Sequence, residues 1–351
     1  MARELSCSVY RGGNSKTLIF RDEDLPADQD ERDKIFLYAI GCPDPLRLNG
    51  LGGTTINQNK VVIISKSELK GIDVEYTLGQ IGLTTPCVEY SYNSGNIAFA
   101  VALYAAQSGM TDAVAGEREV KIYNTNAKEY INAQFISFGN EPGGAQIRLN
   151  FLSPGGGMTG SLFPTGSLTD NVEINNACFR VTVIDAGNLT VLVNASDLGV
   201  SGTETSEAQV AHILAPLEKV CDLIASRLAV EPRLIKTIIV APPQSYVSRT
   251  SMQIDKNDIS LCARDITLGS FHPGFPVTGA IAVSIAAVIP GTVANEMVNV
   301  ENNEGLIKIG TASGIFEIGA WTSKEDGKFR AEKITLVDSA RAIMRGKVWV
   351  P

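Results

Sequence analysis

Residues 91–109, SYNSGNIAFAVALYAAQSG, carry the reading that decides the fold. From Ile97 to Ala106 there is no charge, so a helix here is apolar all the way round and has to be buried on every side. It is too short to span a bilayer. Its entrance, Asn93-Ser94-Gly95-Asn96, is built of small polar or flexible residues with little packing value. A second stretch repeats the outline in the other half of the chain: FHPGFPVTGAIAVSIAAVIPGT, residues 271–292, has a Gly- and Pro-rich entrance, an apolar run from Gly279 and a Pro-Gly exit.

Two such helices, each needing a sheet wrapped round it, predict a duplicated α+β fold: two similar domains, each a curled β-sheet around a central buried helix. The expected division is 1–175, with its helix at about 95–108, and 176–351, with its helix at about 278–289; it leaves open that the last strand returns to the first domain. Short β-branched runs at 61–64, 147–151, 179–184, 191–193, 238–240 and 315–318 read as strands. Asp28–Ile40 and the amphipathic Val210–Leu228 read as helices, the second kinked or restarted at Pro216.

Composition excludes several classes. The chain has 351 residues and a net charge of -8, with no Lys/Arg run, so there is no footprint for nucleic acid. No 18-residue apolar run or signal segment is present, which makes a cytoplasmic protein without membrane contact the expectation. The six cysteines form no CxxC pair and only His212 and His272 offer imidazole, so no metal site is expected and the thiols are expected to be reduced and mostly buried.

The helix entrances suggest chemistry. A helix N-terminus exposes unpaired N–H groups and a positive dipole end, and small residues let an anion approach; if both entrances face one cleft, they clamp a di- or tricarboxylate. The competing reading is that Asn93 and Ser94 only cap the helix. In SVYRGGNSKTLIF, Asn14 and Ser15 follow a Gly-Gly turn that either presents donors to a carboxylate or is an ordinary hairpin. In LNGLGGTTINQNKVVIIS, a Gly-rich loop with Thr54 and Asn59 delivers Lys60 to the head of an apolar strand, where a partly desolvated amine can carry a proton. It is neither a P-loop nor a dinucleotide loop. His272, just before the second helix, is placed to bind a carboxylate, relay a proton or make a structural contact; His212 reads as a surface residue.

Together, YRGGNSK (10–16), LNGLGGTTINQNK (48–60), NSGN (93–96), FPT (163–165), FPVTGAI (275–281), ASG (312–314) and ARAIMRGKVWVP (340–351) resemble the PrpF family, in family order and over nearly the whole chain. The resemblance implies a diaminopimelate-epimerase-like fold with the active site between two halves. It also implies isomerisation of an unsaturated di- or tricarboxylate, such as aconitate or methylaconitate, by a 1,3-allylic proton shift or cis/trans change without a cofactor. On this basis Lys60 is the catalytic base. Asn14, Ser15, Thr54, Asn59, Asn93, Gly95, Asn96, His272, Thr278 and Gly279 are substrate-binding candidates, and Ser313 and Gly314 match the family's PSG loop. Ser94 is the second catalytic candidate; members commonly read NCGN, so it stands where an acid/base thiol is usual, and either Lys60 handles both proton transfers with Ser94 as hydrogen-bond donor or the activity is altered or lost. Thr311-Ala312 replaces the usual His-Pro before Ser-Gly. The alternatives are a non-catalytic carboxylate-binding or accessory protein and an epimerase or racemase. A homodimer is an open option, and the substrate and the direction of the shift are not encoded legibly.

Overall fold

The computed structural model describes residues 3–83, 85–111, 119–138, 143–174, 177–267, 269–298 and 305–351. The chain divides into two compact units, Met1–Phe151 with Val337–Pro351, and Leu152–Leu336. The first boundary thus falls at 151/152 rather than 175/176, and residues 337–351 lie in the first unit. The segment from 152 joins the second unit because the strand Asp170–Ile174 pairs there.

The first unit contains β1 (Arg3–Gly12), β2 (Ser15–Arg21), α1 (Gln29–Ile40), β3 (Lys60–Lys66), β4 (Val74–Ile81), β5 (Val88–Glu89), α2 (Gly95–Gln107), β6 (Glu119–Asn124), β7 (Glu129–Phe138) and β8 (Gly144–Leu152). β1 and β2 form an antiparallel hairpin, β3 lies parallel to β2, β4 antiparallel to β3 and β6 parallel to β4. α1 makes the first parallel crossover and α2 the second. Asp28 caps α1 by accepting from the Glu31 N–H at 2.9 Å, and Gly41 at φ 88° closes it.

Every residue of α2 from Gly95 to Ala105 is buried, against β1, β2, β6 and β7. This is why the run carries no polar stripe: each direction around the helix meets a strand. Gly109, at φ 68°, follows its end.

The second unit contains β9 (Asp170–Ile174), β10 (Ala177–Ala186), β11 (Asn188–Asn194), α3 (Glu207–Leu228), β12 (Lys236–Ala241), β13 (Tyr246–Val247), β14 (Gln253–Ile254), β15 (Leu261–Thr267), β16 (Ser270–Phe271), α4 (Val277–Val288), α5 (Val293–Met297), β17 (Leu306–Thr311) and β18 (Gly314–Glu325); β19 (Lys328–Val350) ends the chain. Its connection order repeats the first unit's. β10 and β11 form an antiparallel hairpin, β12 is parallel to β11 with α3 between, β15 is antiparallel to β12, and β17 is parallel to β15 with α4 between. α4 is buried from Val277 to Ala287 and packs on β10, β11 and β18.

α3 is one continuous helix that contains Pro216, so of the two expectations, a kink or a restart, the restart does not occur. Its buried Val210, Ile213, Leu217, Val220 and Ile224 form one stripe, and the packing of that stripe carries the helix through the proline. Among the described residues no helix is long and apolar enough to cross a membrane.

Candidate active site

The first unit brings residues 10–16, 48–60 and 93–96 together. A Cβ on Gly12 would lie 2.3 Å from the Asn96 carbonyl oxygen and 2.8 Å from the Ala100 nitrogen, so only glycine lets the β1–β2 hairpin rest on the first turn of α2. Gly13, at φ 49°, faces the Asn96 side-chain oxygen. Arg11 pins the turn by donating to the Gly13 and Ser339 carbonyls at 2.9 and 3.1 Å. The Asn14 carbonyl accepts from Asn57 Nδ2 at 2.6 Å, and Lys16 Nζ donates to the Gly52 carbonyl at 2.9 Å, which ties the turn to the Gly-rich loop. Ser15 is buried, and its hydroxyl donates to Asn14 Oδ1 at 3.3 Å.

Lys60 is the first residue of β3 and is buried, 7% exposed. Its Nζ donates to Gln80 Oε1 at 2.6 Å, and its carbonyl accepts from Thr17 Oγ1 at 3.1 Å. Asn59 is fully buried, and its side chain is spent on the loop: Oδ1 accepts from Arg47 Nε (3.0 Å) and Gly53 N–H (3.3 Å), while Nδ2 donates to the Gly53 and Thr55 carbonyls (2.7 and 2.8 Å). It therefore shapes the approach to Lys60 from within the loop. Thr54 is exposed on that loop.

Ser94 occupies the N-cap position of α2, yet its side chain makes no capping hydrogen bond. Asn93 Oδ1 accepts from Asn124 Nδ2 at 2.8 Å, and its Nδ2 donates to buried Glu129 Oε2 at 3.3 Å. The capping reading therefore does not account for Ser94. A helix start that its N-cap side chain does not cover is an arrangement that suits an anion. Gly95 and Asn96 begin the helix and are buried.

In the second unit Thr278 and Gly279 sit in the first turn of α4. Thr278 Oγ1 accepts from Lys236 Nζ at 3.0 Å. With its amide oxygen toward that pair, Asn188 accepts from Lys236 Nζ at 3.2 Å and from the Thr278 hydroxyl at 2.9 Å. The Thr278 side chain is thus bound internally. A Cβ on Gly279 would meet Asp265 Oδ2 at 3.0 Å, a buried oxygen with no hydrogen-bond partner among the described residues. His272 is half-buried; its Nδ1 accepts from the Gly274 N–H at 3.1 Å, so the proton of the neutral ring sits on Nε2. Ser313 donates to the Pro273 carbonyl at 2.6 Å, which places the Ser313-Gly314 loop beside the α4 entrance. His212 is exposed on α3.

Lys236 heads β12 as Lys60 heads β3. In each unit the lysine lies opposite a threonine of the hairpin's second strand, Thr17 or Thr190. Burial holds the Lys236 amine below the usual lysine range, and the Asp265 carboxylate partly offsets this. The unfolded chain then binds a proton that the folded chain lacks, so this group's contribution to stability rises with pH through the window below the ordinary lysine pKa. Lys236→Met is expected to remove that slope. Melting curves from pH 7 toward pH ~10 should show the wild type gaining on the variant, by at most about 1.4 kcal/mol per pH unit; parallel curves would refute it.

The thiols were expected to be mostly buried. All six are free, but only Cys7 and Cys262 are buried, and Cys87 and Cys178 are exposed. Burial pushes the Cys7 thiol up to about 12 and also raises Cys221 and Cys262, so these three are not thiolates at neutral pH. Among the described residues, no group of three or more His, Cys, Asp or Glu side chains is placed to hold a metal ion. Sequence reading missed Gln80, Glu129 and Lys236. Lys236 had a signal, since KTIIVA (236–241) repeats the pattern of KVVIIS (60–65).

The chain is 33% identical to the 2-methyl-aconitate isomerase of Shewanella oneidensis, over 99% of this chain and 97% of the relative. The crystal structure of a methylitaconate-delta-isomerase superposes with a TM-score of 0.81 at 28% identity, covering 99% of this chain and 96% of that one. A probable proline racemase from Agrobacterium radiobacter K84 shares the fold alone, with a TM-score of 0.59 at 12% identity over 99% and 93% of the two chains. The profile described as PrpF protein matches residues 2–351, nearly the whole chain: the chain belongs to the PrpF family.

Proposed function

We propose that this PrpF-family isomerase moves a double bond within an unsaturated di- or tricarboxylate of the aconitate or methylaconitate kind, by a 1,3-allylic proton shift that uses no cofactor. The observation that carries the proposal is Lys60: a buried amine at a strand head, fixed by Gln80, in the unit where the hairpin turn touches the uncapped start of α2. Conjugation with a double bond and a nearby carboxyl group acidifies the allylic C–H. The neutral Lys60 amine takes that proton, and the electron pair spreads over the allylic system onto the carboxylate. The first N–H groups of α2, with the Ser94 hydroxyl as a further donor, stabilise that charge. Ammonium Lys60 then returns the proton to the far carbon and regains its starting form. Serine is a far weaker acid than cysteine, so both transfers belong to the lysine.

The names of the relatives support this substrate class. Incubating the protein with trans-aconitate, methylaconitate, methylitaconate and oxalomesaconate, with products identified by NMR, tests it: turnover of at least one acid is expected, and turnover of none would defeat the proposal. Ser94 motivates the second reading, a carboxylate-binding accessory protein, whose signature is saturable binding of these acids without turnover. An epimerase acting at one stereocentre through paired thiols is disfavoured, since neither helix entrance carries a cysteine.

A further inference from the structure

Gln80 stands directly across the β3–β4 ladder from Lys60. It is buried, and its Oε1 accepts from the lysine amine at 2.6 Å. Its Nε2 donates to the carbonyls of Ile56, Asn59 and Ile81 at 3.1, 2.9 and 3.1 Å. Turning the amide over would aim its oxygen at three carbonyl oxygens, so the orientation has one solution. The acceptor facing Lys60 is therefore anchored to the backbone immediately before the lysine and beside it on the next strand.

The anchoring matters for a base. A lysine side chain has many rotamers, and an unrestrained amine spends little time in one attacking position. A neutral amide oxygen also accepts from an ammonium and from an amine, without adding a charge that favours the ammonium. A carboxylate in its place would raise the lysine's pKa and disarm it at neutral pH.

We propose that Gln80 is a positioning residue for Lys60, fixing the direction of its amine and keeping it an effective base; this rests on the assignment of Lys60 made above. Two variants of the full chain test it. Gln80→Met removes the acceptor at similar volume and is expected to lower kcat about 100-fold while KM changes less than threefold. Gln80→Glu adds a charge beside the amine, and the acidic limb of the pH–kcat/KM profile is expected to move up by about one unit or more.

A readout free of turnover accompanies them: the pH midpoint for acetylation of Lys60 by a small amine-reactive ester, followed by mass spectrometry, is expected to rise in Gln80→Glu by the same amount. Should Gln80→Met fold poorly, Gln80→Asn, whose amide falls one carbon short, is expected to give the same loss of kcat. A kcat within twofold of wild type in the folded neutral variant, or a Gln80→Glu acetylation curve superimposed on the wild-type curve, overturns the proposal. Full activity of a Lys60→Ala protein would instead defeat the assignment of the base, and the acetylation midpoint would still report on Gln80.

Discussion

Replacing Lys60 by alanine is expected to abolish turnover while the protein stays folded. The amine is a buried basic group in the first-unit cluster, able to take a proton from carbon when neutral. Ser15, Ser94, Asn14 and Asn96 offer only hydroxyl or amide groups. General-base catalysis by a positioned side chain contributes about 100- to 10,000-fold, and the loss should fall in kcat rather than KM, because the helix N–H groups proposed to hold carboxylate are untouched. The fold should survive, since Lys60 adds a side-chain bond to Gln80 while the ladder of β3 is made by backbone groups. Steady-state kinetics with circular dichroism decide it. A variant with more than a tenth of wild-type activity would remove Lys60 from the mechanism.

Gly12→Ala is expected to give the largest loss of stability. The added methyl would sit 2.3 Å from one backbone atom of α2 and 2.8 Å from another. Neither is the end of a flexible side chain, so the hairpin or the helix has to move. Overpacking of this kind typically costs about 1–3 kcal/mol, and the rigid neighbours place this case at the upper end or beyond. Gly71→Ala is the control. Gly71 has φ 79° with nothing within 4 Å of the added carbon, so it pays backbone strain alone, about 1–2 kcal/mol. Urea unfolding of both variants is expected to rank Gly12→Ala well below Gly71→Ala; the reverse order would mean that the close approach of hairpin and helix is not what the glycine serves.

The two central helices were legible because burial on every side erases the polar stripe, leaving a composition that only a surrounded helix tolerates. The strands were legible for a related reason: each β-branched run lies inside an observed strand. The boundary between the units was not legible, because assigning 152–175 depends on the pairing of β9 with β10, which no local pattern announces. At Pro216 the choice between a kink and a new helix was not legible, since the α3 stripe that carries the helix through the proline is a tertiary feature.

For the candidate site, residue type and loop context singled out Lys60 and the glycine hairpin, and these need no partner to be noticed. Roles that depend on partners were hidden. Asn59 and Asn93 read as ligand donors, yet the first holds its own loop and the second joins Asn124 and Glu129 beneath the helix entrance. Gln80 is visible only through strand register, twenty residues from the lysine it faces.

The central claim is that the Lys60 amine itself carries the proton between carbons. Incubating wild type and Lys60→Ala with an accepted substrate in heavy water, and following deuterium at the allylic carbons by NMR, tests this most directly. The account predicts deuterium entering with wild-type protein and none above the uncatalysed rate with the variant. Exchange by Lys60→Ala at a rate comparable to wild type would contradict it.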